Sequence, residues 1–187
     1  MKLATECAHA VPEIDLVICS TDSWDIAVEA APSEIVFRPD SLSGDEIGDA
    51  AVLRHADVVH DIIVMLQPTC LTRKPSEVSE CIRTLIDEDY DSVWTVTPTD
   101  LHYHPDKQLY AKHGMLVGKS EIRRQDLKQT YTRNGACYAM TRECLEQYGT
   151  MGPTCGAIIT EPHISIDTVE DLKNATKVWE VQENYLG

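Results

Sequence analysis

Ile62-Ile63-Val64-Met65-Leu66 is the strongest strand signal in the chain, and Gln67-Pro68-Thr69 follows it without a spacer. An unbroken apolar run of this length fits a strand buried on both faces, as in a parallel sheet flanked by helices. Leu16-Val17-Ile18-Cys19, Ile35-Val36-Phe37, Ser92–Thr97, Ala136–Met140 and Ile164–Ile166 repeat the pattern. Between them apolar residues return at helical spacing. Examples are Leu3, Cys7 and Ala10; Trp24, Ala27 and Ala30; Ile47, Val52, Leu53, Ala56 and Val59; and Val78, Ile82, Leu85 and Ile86. Thr141–Tyr148 reads as a further helix stopped by Gly149. Thr168 and Asp171 resemble a capping box that opens a last helix bearing Leu172, Ala175 and Trp179. Strands alternating with helices predict a single α/β domain built on a mostly parallel sheet.

The segment 101–133 breaks this rhythm. It holds Pro105, a turn signal at His113-Gly114, and seven of the sixteen basic residues of the chain. Between Lys107 and Arg133 only Glu121 and Asp126 oppose Lys107, Lys112, Lys119, Arg123, Arg124, Lys128 and Arg133, leaving about +5 on that stretch of a chain of net charge −15. The segment reads as an inserted hairpin arm. A chain this acidic repels nucleic acid and anionic lipid, so neither is expected as a partner, whereas the arm reads either as a solvated basic surface or as a local anion site. No apolar run approaches the roughly 20 residues of a membrane helix, and the start lacks a signal peptide. Seven cysteines without a CxxC pair predict reduced thiols and a cytoplasmic protein. His102 and His104 form an HxH, but no second ligand pair stands at zinc spacing.

The polar residues that close the strands converge on one sheet edge, where open parallel sheets bind ligands. Ser20-Thr21-Asp22, Gln67-Pro68-Thr69, Thr97-Pro98-Thr99-Asp100 and Asp167 lie at such ends. Pro68 stiffens the backbone between Gln67 and Thr69.

Leu66–Arg73 resembles the LQPTSPLR segment of the acylneuraminate cytidylyltransferases, the CMP-sialic acid synthetase family. Ser20-Thr21-Asp22, Phe37-Arg38-Pro39 with Gly44-Asp45, Arg123–Leu127, Arg133–Tyr138 and Ile164–Leu172 resemble further segments of that family in the same order. The resemblance implies a Rossmann-like three-layer nucleotidyltransferase fold. It implies transfer of CMP from CTP to a 2-keto-3-deoxy acid sugar, with magnesium present and pyrophosphate released. It also implies a homodimer whose protruding arm, 101–133, reaches across to the partner. Arg38, Gly44 and Asp45 would then lie near the nucleoside, and Gln67 and Thr69 would hold the acid sugar. Arg133 and Asn134 would bind substrate, Lys107 and Arg124 would enter the partner's site as catalytic cations, and Asp167 would bind magnesium.

The chain departs from that family in three places. Members begin with a strand and a glycine-rich, lysine-bearing loop, whereas Met1 enters at the helix that follows it. The resemblance therefore implies an N-terminally truncated chain, or one that fills the gap from another subunit, or a relative that no longer binds CTP productively; truncation is the preferred reading. Ser165 stands where the family has the first of two aspartates, and Cys70-Leu71-Thr72 replaces Ser-Pro-Leu. The competing reading is a non-catalytic nucleotide- or sugar-acid-binding relative, or a dimeric scaffold.

Overall fold

The computed structural model describes residues 1–56, 59–119 and 121–176. The expected alternation is present as α1 (Lys2–His9), β1 (Ile18–Thr21), α2 (Trp24–Glu29), β2 (Glu34–Phe37), α3 (Asp49–Ala56), β3 (Ile62–Met65), α4 (Pro75–Asp87) and β4 (Ser92–Pro98). A hairpin, β5 (Tyr110–Lys112) and β6 (Met115–Val117), precedes β7 (Tyr131–Thr141), α5 (Arg142–Gln147) and β8 (Cys155–Ile159). A last helix, α6, is described over 169–176; Trp179 lies outside the described residues.

The main sheet has the order β3-β7-β4-β8, and β1 and β2 form a separate parallel pair. β7 runs antiparallel to both β3 and β4, while β8 runs parallel to β4. One reversed strand therefore sits among three that share a direction. β7 is buried on both faces. Cys137 and Ala139 join a cluster with Val78, Cys81, Ile82 and Leu85 of α4, and with Cys7 of α1. Tyr138 and Met140 point the other way, onto Cys144 and Leu145 of α5 with Ala50 and Leu53 of α3 alongside. The two-residue side-chain period of a strand thus feeds helices on both faces, the layering expected from the sequence.

Local chemistry sets the element ends. Pro75 opens α4, and the Glu77 carboxylate caps it by accepting from the Lys74 N–H at 2.9 Å. Thr141 Oγ1 accepts from the Cys144 N–H at 3.0 Å and starts α5, and Gly149, at φ +93°, ends it. His113 and Gly114 both have positive φ, the backbone that a two-residue hairpin turn requires.

The strand predicted at Leu16 is shifted, so Ser20 and Thr21 lie inside β1. Two readings differ more. The sequence alternation omits β8, because Cys155-Gly156-Ala157 is small and weakly apolar; a Cβ on Gly156 would lie 2.6 Å from the Tyr90 ring, so bulk is excluded there. Ile164–Ile166, expected as a strand, makes only a single antiparallel bridge, Cys70 to Ser165. With β8 holding the place beside β4, this segment runs along the loop after β3 instead. Leu71 N–H donates to Ile164 O at 2.9 Å and Ile166 N–H to Thr69 O at 3.0 Å.

Candidate functional site

The pairing of β4 with β7 carries the local feature that builds the site. Trp94 faces Tyr138 and Val96 faces Arg133, so residues 134–137 of β7 bulge opposite Thr95 alone. Bulges of this kind re-aim side chains. Thr95 Oγ1 fills the broken ladder, accepting from Cys137 N–H at 2.8 Å and donating to Asn134 Oδ1 at 2.7 Å. Gly135 sits at the turn of the bulge with φ +74°, and a Cβ there would lie 2.6 Å from Gln67 Oε1. Glycine is what allows Gln67 and the bulge to meet.

A cavity of about 690 Å³ opens at this edge of the sheet. Gln67 enters from the loop after β3, Thr97–Asp100 from the end of β4, Arg133–Gly135 from the bulge, and His163, Ser165 and Asp167 from the segment after β8. Asp49 at the start of α3, Tyr103 and Tyr138 complete its walls. Burial pushes the Tyr138 phenol upward, so it keeps its proton at neutral pH. The cavity is rich in hydroxyl and amide groups. Its formal charge is acidic, with Asp49, Asp100 and Asp167 against Arg133.

Arg73 holds the cavity from behind. It is 8% exposed and donates to the backbone carbonyls of Gln67, Gly135 and Ala136, with no carboxylate partner among the described residues. One guanidinium therefore ties the loop after β3 to the bulge of β7. Its Nη1 is buried and unpartnered.

Of the residues singled out in the sequence, Gln67, Arg133, Asn134 and Asp167 come together on this cavity. Thr97–Asp100, also singled out as a strand end, line it with them, whereas Arg38, Gly44, Asp45, Thr69, Lys107 and Arg124 do not. Arg38 lies on the turn after β2, where Nη2 meets Asp22 Oδ1 at 3.3 Å and Nε is buried without a partner. Gly44 and Asp45 belong to the loop between β2 and α3 and are not among the residues lining the cavity, although Asp49 at the start of α3 is. Thr69 contributes its carbonyl to the bridge with Ile166. Lys107 and Arg124 sit in short turns of the arm. There Lys119 pairs with Asp106 and Arg123 with Asp126, but Lys107 and Arg124 have no carboxylate partner among the described residues. Asp49, Tyr103 and His163 escape sequence reasoning because each lies outside the strand ends. The Pro162-His163 step just before Ser165 was the available signal.

The sequence matches no family model, and no curated protein matches it. Solved structures do resemble it. A CMP:2-keto-3-deoxy-manno-octonic acid synthetase complexed with CTP superposes with a TM-score of 0.70 at 14% identity, covering 95% of this chain and 86% of that one. A 4-diphosphocytidyl-2C-methyl-D-erythritol synthase from Anaerococcus prevotii DSM 20548 gives 0.65 at 14% identity, covering 96% and 85%. The chain thus has the Rossmann-like α/β fold that it shares with these two structures. Among the described residues no helix is long and apolar enough to cross a membrane.

Proposed function

We propose that this protein is a cytidylyltransferase that moves CMP from CTP to a 2-keto-3-deoxy acid sugar of the sialic-acid-like class. The observation that carries the reading is the convergence of Gln67, Arg133, Asn134 and Asp167, from three separate segments, on one hydroxyl-rich cavity. Both solved structures cited above carry a cytidine nucleotide in their names, one as bound CTP and one in its product.

In the proposed reaction the anomeric hydroxyl of the sugar attacks the α-phosphorus and pyrophosphate leaves. Such transfers depend on alignment and charge neutralisation more than on a protein nucleophile. Arg133 would meet the sugar carboxylate, since a guanidinium fork suits a carboxylate. Gln67 would fix the sugar through its amide. The donor set near Asp167 is all oxygen: Ser165 Oγ donates to Asp167 Oδ2 at 3.0 Å, and among the described residues none bonds to Oδ1. That set suits magnesium, with phosphate oxygens and waters supplying the remaining ligands. Among the described residues no cluster of three metal-binding side chains exists, so protein groups alone would hold the ion weakly. When bound, magnesium would neutralise phosphate charge.

One arginine against three carboxylates cannot by itself attract a triphosphate and an acid sugar. The reading therefore includes a homodimer in which the 101–133 arm of one copy brings Lys107 and Arg124 to the cavity of the other. The apolar side chains of the hairpin support this: Tyr110 and Leu116 are each 74% exposed. The same shortage of cations favours a second reading, a binding protein without turnover.

Pyrophosphate release, measured with CTP, magnesium and a panel of acid sugars, tests the reading. Release above the sugar-free rate is expected with at least one sugar. CTP protection against thermal unfolding without release would select the binding protein, and no ligand stabilisation with an intact dimer would select a scaffold.

A further inference from the structure

His163 lines the cavity, yet its side chain is only 4% exposed and the reaction outlined above does not use it. Both ring nitrogens are engaged. Nε2 lies 3.4 Å from Glu77 Oε2 and 3.3 Å from Thr160 Oγ1, and Nδ1 lies 3.2 Å from Thr72 Oγ1.

The hydrogens of this network can be assigned by elimination. The Thr160 hydroxyl gives its one proton to Glu161 O at 3.0 Å and accepts from Asn134 Nδ2 at 2.8 Å. Its second lone pair faces His163, so Nε2 must carry a hydrogen. The Glu77 carboxylate requires the same. Thr72 Oγ1 accepts from the Ile164 N–H at 3.0 Å, and its own proton is then free for Nδ1. An Nε2–H shared between Glu77 Oε2 and Thr160 Oγ1, with the Thr72 hydroxyl donating to Nδ1, gives each of these atoms a partner.

Asn134 is likewise fully engaged. Its amide donates to Thr97 Oγ1 at 3.1 Å and to Thr160, and its oxygen accepts from the Ala136 N–H at 3.2 Å and from Thr95 Oγ1 at 2.7 Å, the shorter of that hydroxyl's two acceptors, the other being Cys137 O at 3.1 Å. An amide with four protein bonds has none left for a ligand.

We infer that His163, oriented by Glu77, is a positioning residue that locks Thr160 and Asn134, and through the bulge sets the ligand-facing Arg133 and Gln67. Asn134 is then the keystone of the cavity and touches no ligand through its amide. The inference rests on the reading that the cavity binds an acid sugar. It assigns a task to a buried Glu–His pair and replaces a direct binding role for Asn134 with a supporting one. Losing a hydrogen bond that supports a ligand-facing residue typically changes affinity by about tenfold or more.

The test uses the full chain with His163→Phe, which keeps a ring but no Nε2–H, and His163→Gln, which restores a donor near that position. Thr160→Val breaks the same chain one link later and serves should His163→Phe fail to fold. The first readout needs no ligand: hydrogen exchange of the Asn134 side-chain NH2, identified in the ¹⁵N–¹H spectrum by its loss in Asn134→Asp. It should be protected in wild type and His163→Gln, and exposed in His163→Phe and Thr160→Val. The second is titration with 2-keto-3-deoxy-manno-octonic acid and with sialic acid. For whichever binds, Kd should rise about tenfold in His163→Phe and Thr160→Val and stay within about threefold in His163→Gln. Unaltered Asn134 exchange in both disrupting variants overturns the positioning, and altered exchange with unaltered affinity overturns its consequence. A wild-type chain that binds neither sugar overturns the cavity assignment, while the exchange readout still decides the link from His163 to Asn134.

Discussion

Replacing Gly135 with alanine separates backbone strain from ligand geometry. At φ +74° an L-residue is strained by about 1–2 kcal/mol. For a chain of this size that corresponds to a fall in Tm of about 3–6 °C. The added Cβ would also stand 2.6 Å from Gln67 Oε1, well inside contact distance. The obstructing atom is the far end of a flexible side chain, so Gln67 yields at little cost in stability but leaves its place on the cavity wall. If Gln67 holds the charged sugar, losing that bond costs about 1.5–3 kcal/mol, or roughly 10–100-fold in affinity. Gly149→Ala supplies the control. Its φ is +93° and the new Cβ meets only Ala50 Cβ at 3.6 Å, an ordinary contact, so it shares the strain without touching Gln67. Differential scanning calorimetry and sugar titration on both variants are the assay. Similar melting shifts with lost binding only in Gly135→Ala are expected. Wild-type affinity in Gly135→Ala would refute a Gln67 contact, and equal binding loss in Gly149→Ala would refute the displacement argument.

Arg73→Met strands the three carbonyls that the guanidinium serves, and urea unfolding should show a loss of about 3 kcal/mol or more; less than about 1 kcal/mol would show that the clamp contributes little. The Asp171 carboxylate is held below its usual range chiefly by the Thr168 hydroxyl, with the N–H groups of Asp167 and Thr168 adding to it. Its contribution to stability is therefore present above the unfolded carboxylate pKa and lost as pH falls through the lower folded value. Thermal unfolding of wild type should decline more steeply than that of Asp171→Asn between about pH 5 and pH 2, and parallel curves would count against the cap. Arg124→Ala should weaken acid-sugar binding while sedimentation still shows a dimer; dimer loss with unchanged binding would reject the trans role. Asp167→Asn should weaken the magnesium-dependent part of CTP binding, and an unchanged magnesium titration would remove Asp167 from the metal site.

Much of this molecule is local chemistry that a reader of the chain can follow. The aliphatic run at Ile62, the amphipathic α4, the stop at Gly149 and the turn at His113-Gly114 each depend on a few adjacent residues, and each is present where expected. Gln67 and Asp167 were legible because each follows an apolar run as a polar group, whereas Arg133 and Asn134 were picked out only by the family resemblance. Less visible was everything that depends on segments meeting. The sequence Arg133-Asn134-Gly135 does not reveal a bulge opposite Thr95, since a bulge is a mismatch between two strands and belongs to neither. Nor does it show that Asn134 is fully bonded, because its partners Thr95, Thr97 and Thr160 come from β4 and the segment beyond β8.

The chain alone therefore determined most of the elements up to α5 and the chemistry available at their ends, because helix and strand periods and turn residues act over a few positions, but it showed neither β8 nor the lone bridge at Ser165. Tertiary structure alone decided the reversal of β7, the place of β8 at the sheet edge and the buried link from Glu77 through His163 to Asn134. Those depend on hydrogen bonds and packing between residues tens of positions apart, whose geometry is set only when the layers close.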